Sequence, residues 1–210
     1  YSFDGTDDWI QVPDSNELDG MTGFTFEAWI YDTAGDTQPR GIASKRISSG
    51  NQDAWSIFKY TSENVFFDIG SDRDETTVSL PSNEWVHLVV TFNGSESSSQ
   101  RKKFYYNGSL VTTAGSSATS VPATSADVHI GILNANYGDS WQGYIDDVVI
   151  YNRTLSATEI QDRYQETGSE LEMYARSCYN LDCDDSLWQG PYTEGSASVS
   201  LDEEMANMIK

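Results

Sequence analysis

The sequence predicts an all-β sandwich or barrel that carries one short helix. Two observations lead there. Most of residues 1–150 alternates apolar and polar side chains with a period of two, and clusters of Gly, Ser, Asn and Asp punctuate the alternation. Many short strands separated by turn residues point to a sandwich or a barrel. The 210 residues allow one large domain or two small ones. At this size about 70% of the unfolded surface can be buried, so the core closes without a metal or a disulfide.

The elements follow in order. In Phe24–Tyr31, the residues Phe24, Phe26, Ala28 and Ile30 share one face, and Trp29 and Tyr31 share the other. Trp85–Phe92 is apolar on both faces, as a central strand of two packed layers should be. Asp53–Phe58, Asn64–Gly70, Lys103–Tyr106, Asp127–Ile132 and Tyr144–Tyr151 are further strands. Trp29, Trp55, Trp85 and Trp141 lie inside strand patterns and are expected in the core, with Trp9 on a sheet surface. Asn107-Gly108, set between Phe104-Tyr-Tyr106 and Leu110-Val111, signals a tight hairpin. The helix spans Leu155–Tyr164: Ser156 is its N-cap, Glu159 completes a capping box, and Gly168 can end it. Composition shifts after Gly168, which divides the chain into a domain over 1–168 and an extension over 169–210. Leu171–Arg176 reads as one more strand, with Leu171, Met173 and Ala175 on one side.

Charge excludes several function classes. Lys and Arg total 12 against 33 Asp and Glu, a formal charge of −21. Nucleic-acid binding needs cationic surface to displace counterions, and anionic membrane repels such a chain. No apolar run reaches the roughly 20 residues of a membrane span. The acidity suits cation binding or solubility in salt. The chain opens at Tyr1, without Met or an apolar leader, and is read as a mature product or a fragment of something longer.

The order of five fragments points to a family. Tyr1-Ser-Phe-Asp-Gly5 leads to Asp8-Trp-Ile-Gln-Val-Pro13. Phe24-Thr-Phe-Glu-Ala-Trp-Ile30, Glu84–Phe92 and Phe104-Tyr-Tyr-Asn-Gly108 come next. Trp141–Tyr151 with Leu155-Ser156 and Glu159-Ile160 closes the series. Together they resemble laminin G-like, concanavalin A-like lectin/glucanase domains of the type found in prokaryotic extracellular multidomain proteins. The resemblance covers residues 1 to about 168. It implies a two-sheet antiparallel jelly roll with one short C-terminal helix. The strand-like C-terminal extension beyond it is read as the start of a second β module, which its opening strands loosely resemble, or as a segment that links subunits. The resemblance also implies an extracellular or cell-surface setting. Cys178 and Cys183 close a short loop as a disulfide in that setting, at ~2 kcal/mol, or stand as reduced thiols.

Candidate sites divide by chemistry. Related β-glucanases carry E-x-D-x-x-E on one strand, because a retaining hydrolase needs two carboxyl groups at ~5–5.5 Å. Glu17-Leu-Asp19 has Thr22 where the second Glu should be. Sialidase-type S-x-D-x-G-x-T-W strings are absent, and His87 and His129 have no Ser or Cys nucleophile motif beside them. No catalytic residue is therefore assigned. The resemblance implies one structural Ca²⁺ between the first and last strands, with Asp146, Asp4 and the Gly5 carbonyl as ligands and Asp7 as a weaker choice. Asp146 and Asp147 are expected to face opposite sides of their strand. For a glycan, the loop Asn134–Asp139 offers Tyr137 for stacking and Asn134, Asn136 and Asp139 for hydrogen bonds. Arg101, Lys102 and Lys103 form a basic cluster able to meet an acidic patch of another copy or to lie solvated.

These observations predict a non-catalytic extracellular recognition or adhesion module, Ca²⁺-stabilised, with a glycan or an extracellular protein as partner. The rival is a structural subunit of a surface filament, self-associating through an edge exposed at Leu171–Arg176. A divergent glycoside hydrolase stands behind both.

Overall fold

The computed structural model describes residues 1–35, 38–46, 54–134, 138–167, 173–175 and 189–192. The chain divides into two compact units, Tyr1–Gln165 and Glu166–Lys210. The strands of the first are β1 (Ser2–Asp4), β2 (Ile10–Val12), β3 (Gly23–Asp32), β4 (Arg40–Lys45), β5 (Trp55–Tyr60), β6 (Asn64–Ile69) and β7 (Asp72–Glu75). They continue with β8 (Trp85–Asn93), β9 (Lys102–Tyr106), β10 (Ser109–Ala114), β11 (Val128–Ile130), β12 (Ile132–Asn134), β13 (Gly138–Ser140) and β14 (Gln142–Tyr151), followed by helix α1 (Ala157–Thr167).

Two antiparallel sheets form a jelly-roll sandwich. The first has the order β1-β14-β3-β8-β9-β10 and the second β2-β11-β4-β5-β6-β7. Their inner faces meet through Phe24, Phe26, Ala28, Ile30, Val86, Leu88, Val90 and Phe92 on one side and Trp55, Ile57, Val65, Phe67 and Ile69 on the other, all buried. Phe24 sits 5.1 Å from Trp55 and 5.8 Å from Phe67, and Phe67 meets Phe104 edge-on at 6.2 Å. Such pairs are worth about 0.5–1.5 kcal/mol each beyond the area they bury.

The hairpin and the helix form as the sequence predicts. Asn107 and Gly108 have φ of 48° and 74°, the left-handed pair that closes β9 onto β10. The Ser156 amide donates to Glu159 Oε2 at 2.8 Å and the Glu159 amide donates to Ser156 Oγ at 3.2 Å, which is the capping box. Those bonds, together with Arg153, hold the Glu159 carboxyl down at about 2.

Other expectations are corrected. Trp85 is not core: it stands at the outward parity of β8, opposite to Val86, Leu88 and Val90, and is 45% exposed. The Asp127–Ile132 strand splits at Gly131, where β11 belongs to the second sheet and β12 pairs with β13 instead. Asp146 and Asp147 do not alternate: a bulge between Asp146 and Val149, with Asp147 at φ 48°, leaves both exposed. The basic cluster is consumed internally. Arg101 donates to the carbonyls of Glu96, Ser116, Ser117 and Ala118, and Lys103 pairs with Glu96 at 2.9 Å. Lys102 is fully buried, crossing from the first sheet to the Phe67 and Asp72 carbonyls and the Asp74 carboxylate of the second.

Asp72 ties down the neighbouring loop. Burial would raise its pKa, but hydrogen bonds from Ser117, Ser116 and the Ala118 amide override that and bring it to about 2.

In the second unit, β15 (Met173–Ala175) pairs antiparallel with β16 (Gln189–Tyr192), Met173 opposite Tyr192 and Ala175 opposite Gln189. The predicted strand therefore has a neighbour within its own unit. Leu171, Cys178 and Cys183 lie outside the described residues.

Lys59 and Asp32 form an ion pair at 2.6 Å with both side chains fully buried. Replacing Lys59 by Met strands the Asp32 charge and is expected to cost about 3–5 kcal/mol. The double change Lys59→Met, Asp32→Leu should recover most of it. Chemical unfolding of the three proteins measures both values.

Candidate functional site

Three sequence-distant pieces meet at one edge of the sandwich. The first is the loop Asp4-Gly-Thr-Asp-Asp8. The Thr6 amide donates to Asp4 Oδ1 at 2.8 Å and the Asp4 amide donates to Asp8 Oδ2 at 3.0 Å, which folds the loop back on itself. Gly5 makes the turn at φ +84°, where a side chain would come within 3.0 Å of Arg40 and Gln142. The second piece is the β12–β13 hairpin. It lies against the outer surface of the second sheet, with the Leu133 backbone so close to Gly41 that a Cβ there would stand 1.8 Å from its nitrogen. Ser44 Oγ donates to the Leu133 carbonyl at 2.9 Å. The third is Arg40, which donates to the Ser140 carbonyl at 3.1 Å. Ser140 Oγ in turn donates to the Thr6 carbonyl at 2.9 Å and fastens the loop to the hairpin.

The carboxylates of Asp4, Asp7 and Asp8 offer oxygens that all lie within 4.8 Å of one another on the exposed loop. A Ca²⁺ ion takes oxygen ligands at about 2.3–2.6 Å, so co-ligands lie within about 5 Å of each other. This trio fits that requirement. Asp146 does not join it. Asp4 is opposite Gln142 in the β1–β14 register, and Asp146 lies four residues further, about 13 Å along the strand. The expected set of Asp4, Gly5 and Asp146 is thus not assembled. Asp4 and Gly5 sit in the acidic loop with Asp7 and Asp8, while Asp146 accepts from the Asp147 amide in the bulge.

Asp139 stands on β13 at φ +64°, half-buried. Burial raises its pKa, opposed by the positive charges of Arg46 and Arg40. Asn134 pairs with Gly138 through the backbone, and Asn136 and Tyr137 lie outside the described residues. Sequence reasoning placed the acidic loop and this hairpin in two separate sites. Their junction, and the parts played by Arg40 and Ser140, had no local signal.

The histidines are accounted for differently. His87 is fully buried on the outer face of the first sheet, beneath α1. Its Nε2 is 2.9 Å from Glu27 Oε1, and Tyr164 and Trp29 pack on its ring at 5.8 and 5.3 Å. Glu27 Oε2 accepts from Arg163 at 2.5 Å and from the Tyr151 hydroxyl at 3.1 Å. Burial would raise the Glu27 pKa, but His87 and Arg163 together pull it below its ordinary value. The cluster fastens α1 onto the sheet. His129 is half-buried on β11, and burial lowers its pKa against the pull of Asp127.

Because the Glu27 carboxyl is depressed in the folded state, its contribution is present above the unfolded value near 4.5 and is lost as pH falls through the folded one. Glu27→Ala should cost about 3 kcal/mol at neutral pH and flatten the loss of stability below pH 4.5. Urea unfolding at pH 7 and pH 3 tests both.

Comparison with known proteins agrees with this architecture. A heptameric SAP-like pentraxin from Limulus polyphemus superposes with a TM-score of 0.58 at 17% identity, over 90% of this chain and 89% of its own. A Bacteroides ovatus protein described as a candidate carbohydrate-binding protein gives 0.61 at 12% identity, over 76% of this chain and 45% of its own. Trypanosoma rangeli sialidase gives 0.57 at 16% identity, over 79% of this chain but only 27% of the sialidase. At these identities the likeness establishes the fold alone. No curated protein sequence matches the chain. The family model of the concanavalin A-like lectin/glucanases superfamily matches residues 4–161, three quarters of the sequence, and the chain belongs to that superfamily.

Proposed function

We propose that this chain is a non-catalytic, extracellular glycan-recognition module that holds a Ca²⁺ ion at its acidic loop. One observation carries the reading: the Asp4, Asp7 and Asp8 carboxylates converge beside the β12–β13 hairpin that carries the half-buried Asp139, and Ser140 joins loop and hairpin. A hard cation held by those carboxylates would offer coordination to the hydroxyl oxygens of a sugar. Asp139 and Arg40 on the adjoining hairpin and strand bring an acceptor and a donor to the same edge. The fold supports the reading, since the superfamily includes lectins, and two structural neighbours are a pentraxin and a candidate carbohydrate-binding protein. The superfamily also contains glucanases, and sialidases share the fold. Against an enzymatic reading stand the missing E-x-D-x-x-E string and the packing of His87 beneath a helix. The filament reading rests on an edge exposed at Leu171–Arg176, and Met173–Ala175 is paired along one of its edges with Gln189–Tyr192.

Ca²⁺ at a hundredfold excess over its Kd should stabilise the fold by ~2.7 kcal/mol, about 5–10 °C in Tm for a domain of this size. Asp7→Asn should remove most of that rise, and Asp146→Ala should leave it intact. An equal Tm in Ca²⁺ and in chelator would overturn the cation site. A glycan array probed in Ca²⁺ tests the recognition role, and an array without any bound glycan would overturn that part.

A further inference from the structure

The outer face of the first sheet carries an aromatic cluster that no feature above uses. Tyr144, Tyr31 and Trp85 are direct cross-strand partners on β14, β3 and β8. The two outer strands are separated by β3, so their backbones run about 9.5 Å apart. Yet the Trp85 and Tyr144 rings are only 6.1 Å apart, leaning together above Tyr31. Tyr31 meets each of them edge-on, at 5.6 and 5.7 Å. Three rings in mutual contact hold one another in place, so little side-chain freedom is lost when something docks on them.

Helix α1 covers the adjoining row of this face, where Tyr164 packs on Trp29 and His87. It leaves this row open: Trp85 is 45% exposed and Tyr144 is 44% exposed. The rim is polar and acidic. Ser2 pairs with Tyr144, Asp4 follows on the same edge strand, Glu84 precedes Trp85, and Asp146 lies two residues beyond Tyr144; all are exposed.

Aromatic faces ringed by hydrogen-bond acceptors match one kind of occupant. A pyranose ring presents an apolar C–H face to an aromatic ring and hydroxyl donors around its edge. The carboxylate rim repels sialic acids, uronic acids and phosphorylated sugars, just as the whole chain at −21 does. We propose that Trp85 and Tyr144, braced by Tyr31, form a stacking platform for a neutral sugar ring, with Asp4, Ser2 and Glu84 accepting from its hydroxyls. The platform rests on the glycan-recognition reading but is a surface separate from the hairpin.

The test uses the full chain and three variants at the exposed platform, Trp85→Ala, Tyr144→Ala and Trp85→Phe. Circular dichroism and Tm establish that each is folded. An array of neutral and sialylated oligosaccharides selects the probe, and calorimetry with the best neutral binder measures affinity. Trp85→Ala and Tyr144→Ala should each weaken binding about tenfold or more, with Trp85→Phe retaining most of it. Neutral-glycan binding that both alanine variants leave unchanged overturns the platform and leaves glycan recognition standing. Binding confined to sialylated glycans does the same. An array with no bound glycan overturns both. Light scattering provides one further arm: a dimer that becomes monomeric in Trp85→Ala assigns this face to a second copy and overturns the proposal.

Discussion

The aromatic seam between the two sheets is the constraint on which the rest depends. Once Phe24 and Phe26 face Trp55 and Phe67, the period of two dictates the parity of every paired residue. Trp29, Tyr31, Trp85 and Tyr144 must then point outward, and so must Glu27 and His87. An outward apolar or charged group on a sheet needs either a cover or a purpose. Helix α1 supplies the cover for Trp29, Glu27 and His87. The β12–β13 hairpin does the same for the second sheet, where Leu133 packs with Phe58 and Phe66. The aromatic row at Trp85 and Tyr144 lies beyond both.

Scarce positive charge is spent inside the fold. Of five lysines in the sequence, Lys45, Lys59 and Lys102 are fully buried. Each binds a carboxylate, and Lys45 and Lys102 bind carbonyls as well. Lys45 holds Asp14 and Asp19 together with the Thr124 and Ala126 carbonyls, so it fastens two loops to β4. Lys102 joins the two sheets at their far edge. The consequence is functional as well as structural. Cations drawn inward leave the outer surface the more acidic, and that sets which ligands the edge and the aromatic row can accept.

The two candidate surfaces share one strand. Asp4 closes the acidic loop that Ser140 ties to the hairpin, and it also borders the aromatic row through its place beside Ser2 on β1. Under the two proposals, a glycan longer than one ring would meet both surfaces through neighbouring units of the same edge.

Composition and alternation by themselves determined the fold class, the inner face of β3, the Asn107-Gly108 turn and the Ser156–Glu159 cap. Each of these is local, fixed by side chains within a few residues of one another. Arg40–Lys45 and Asp72–Glu75 were illegible as strands, because a glycine-bearing polar segment and an edge of four charged residues carry no alternation of their own. Only the tertiary structure decided the sites. Register along β1 and β14 separated Asp4 from Asp146, a bulge brought Asp146 and Asp147 both to the surface, and the extent of α1 set which outward aromatics stay open. These outcomes depend on pairing between residues more than a hundred positions apart, for which the linear sequence of one chain has no periodic signal.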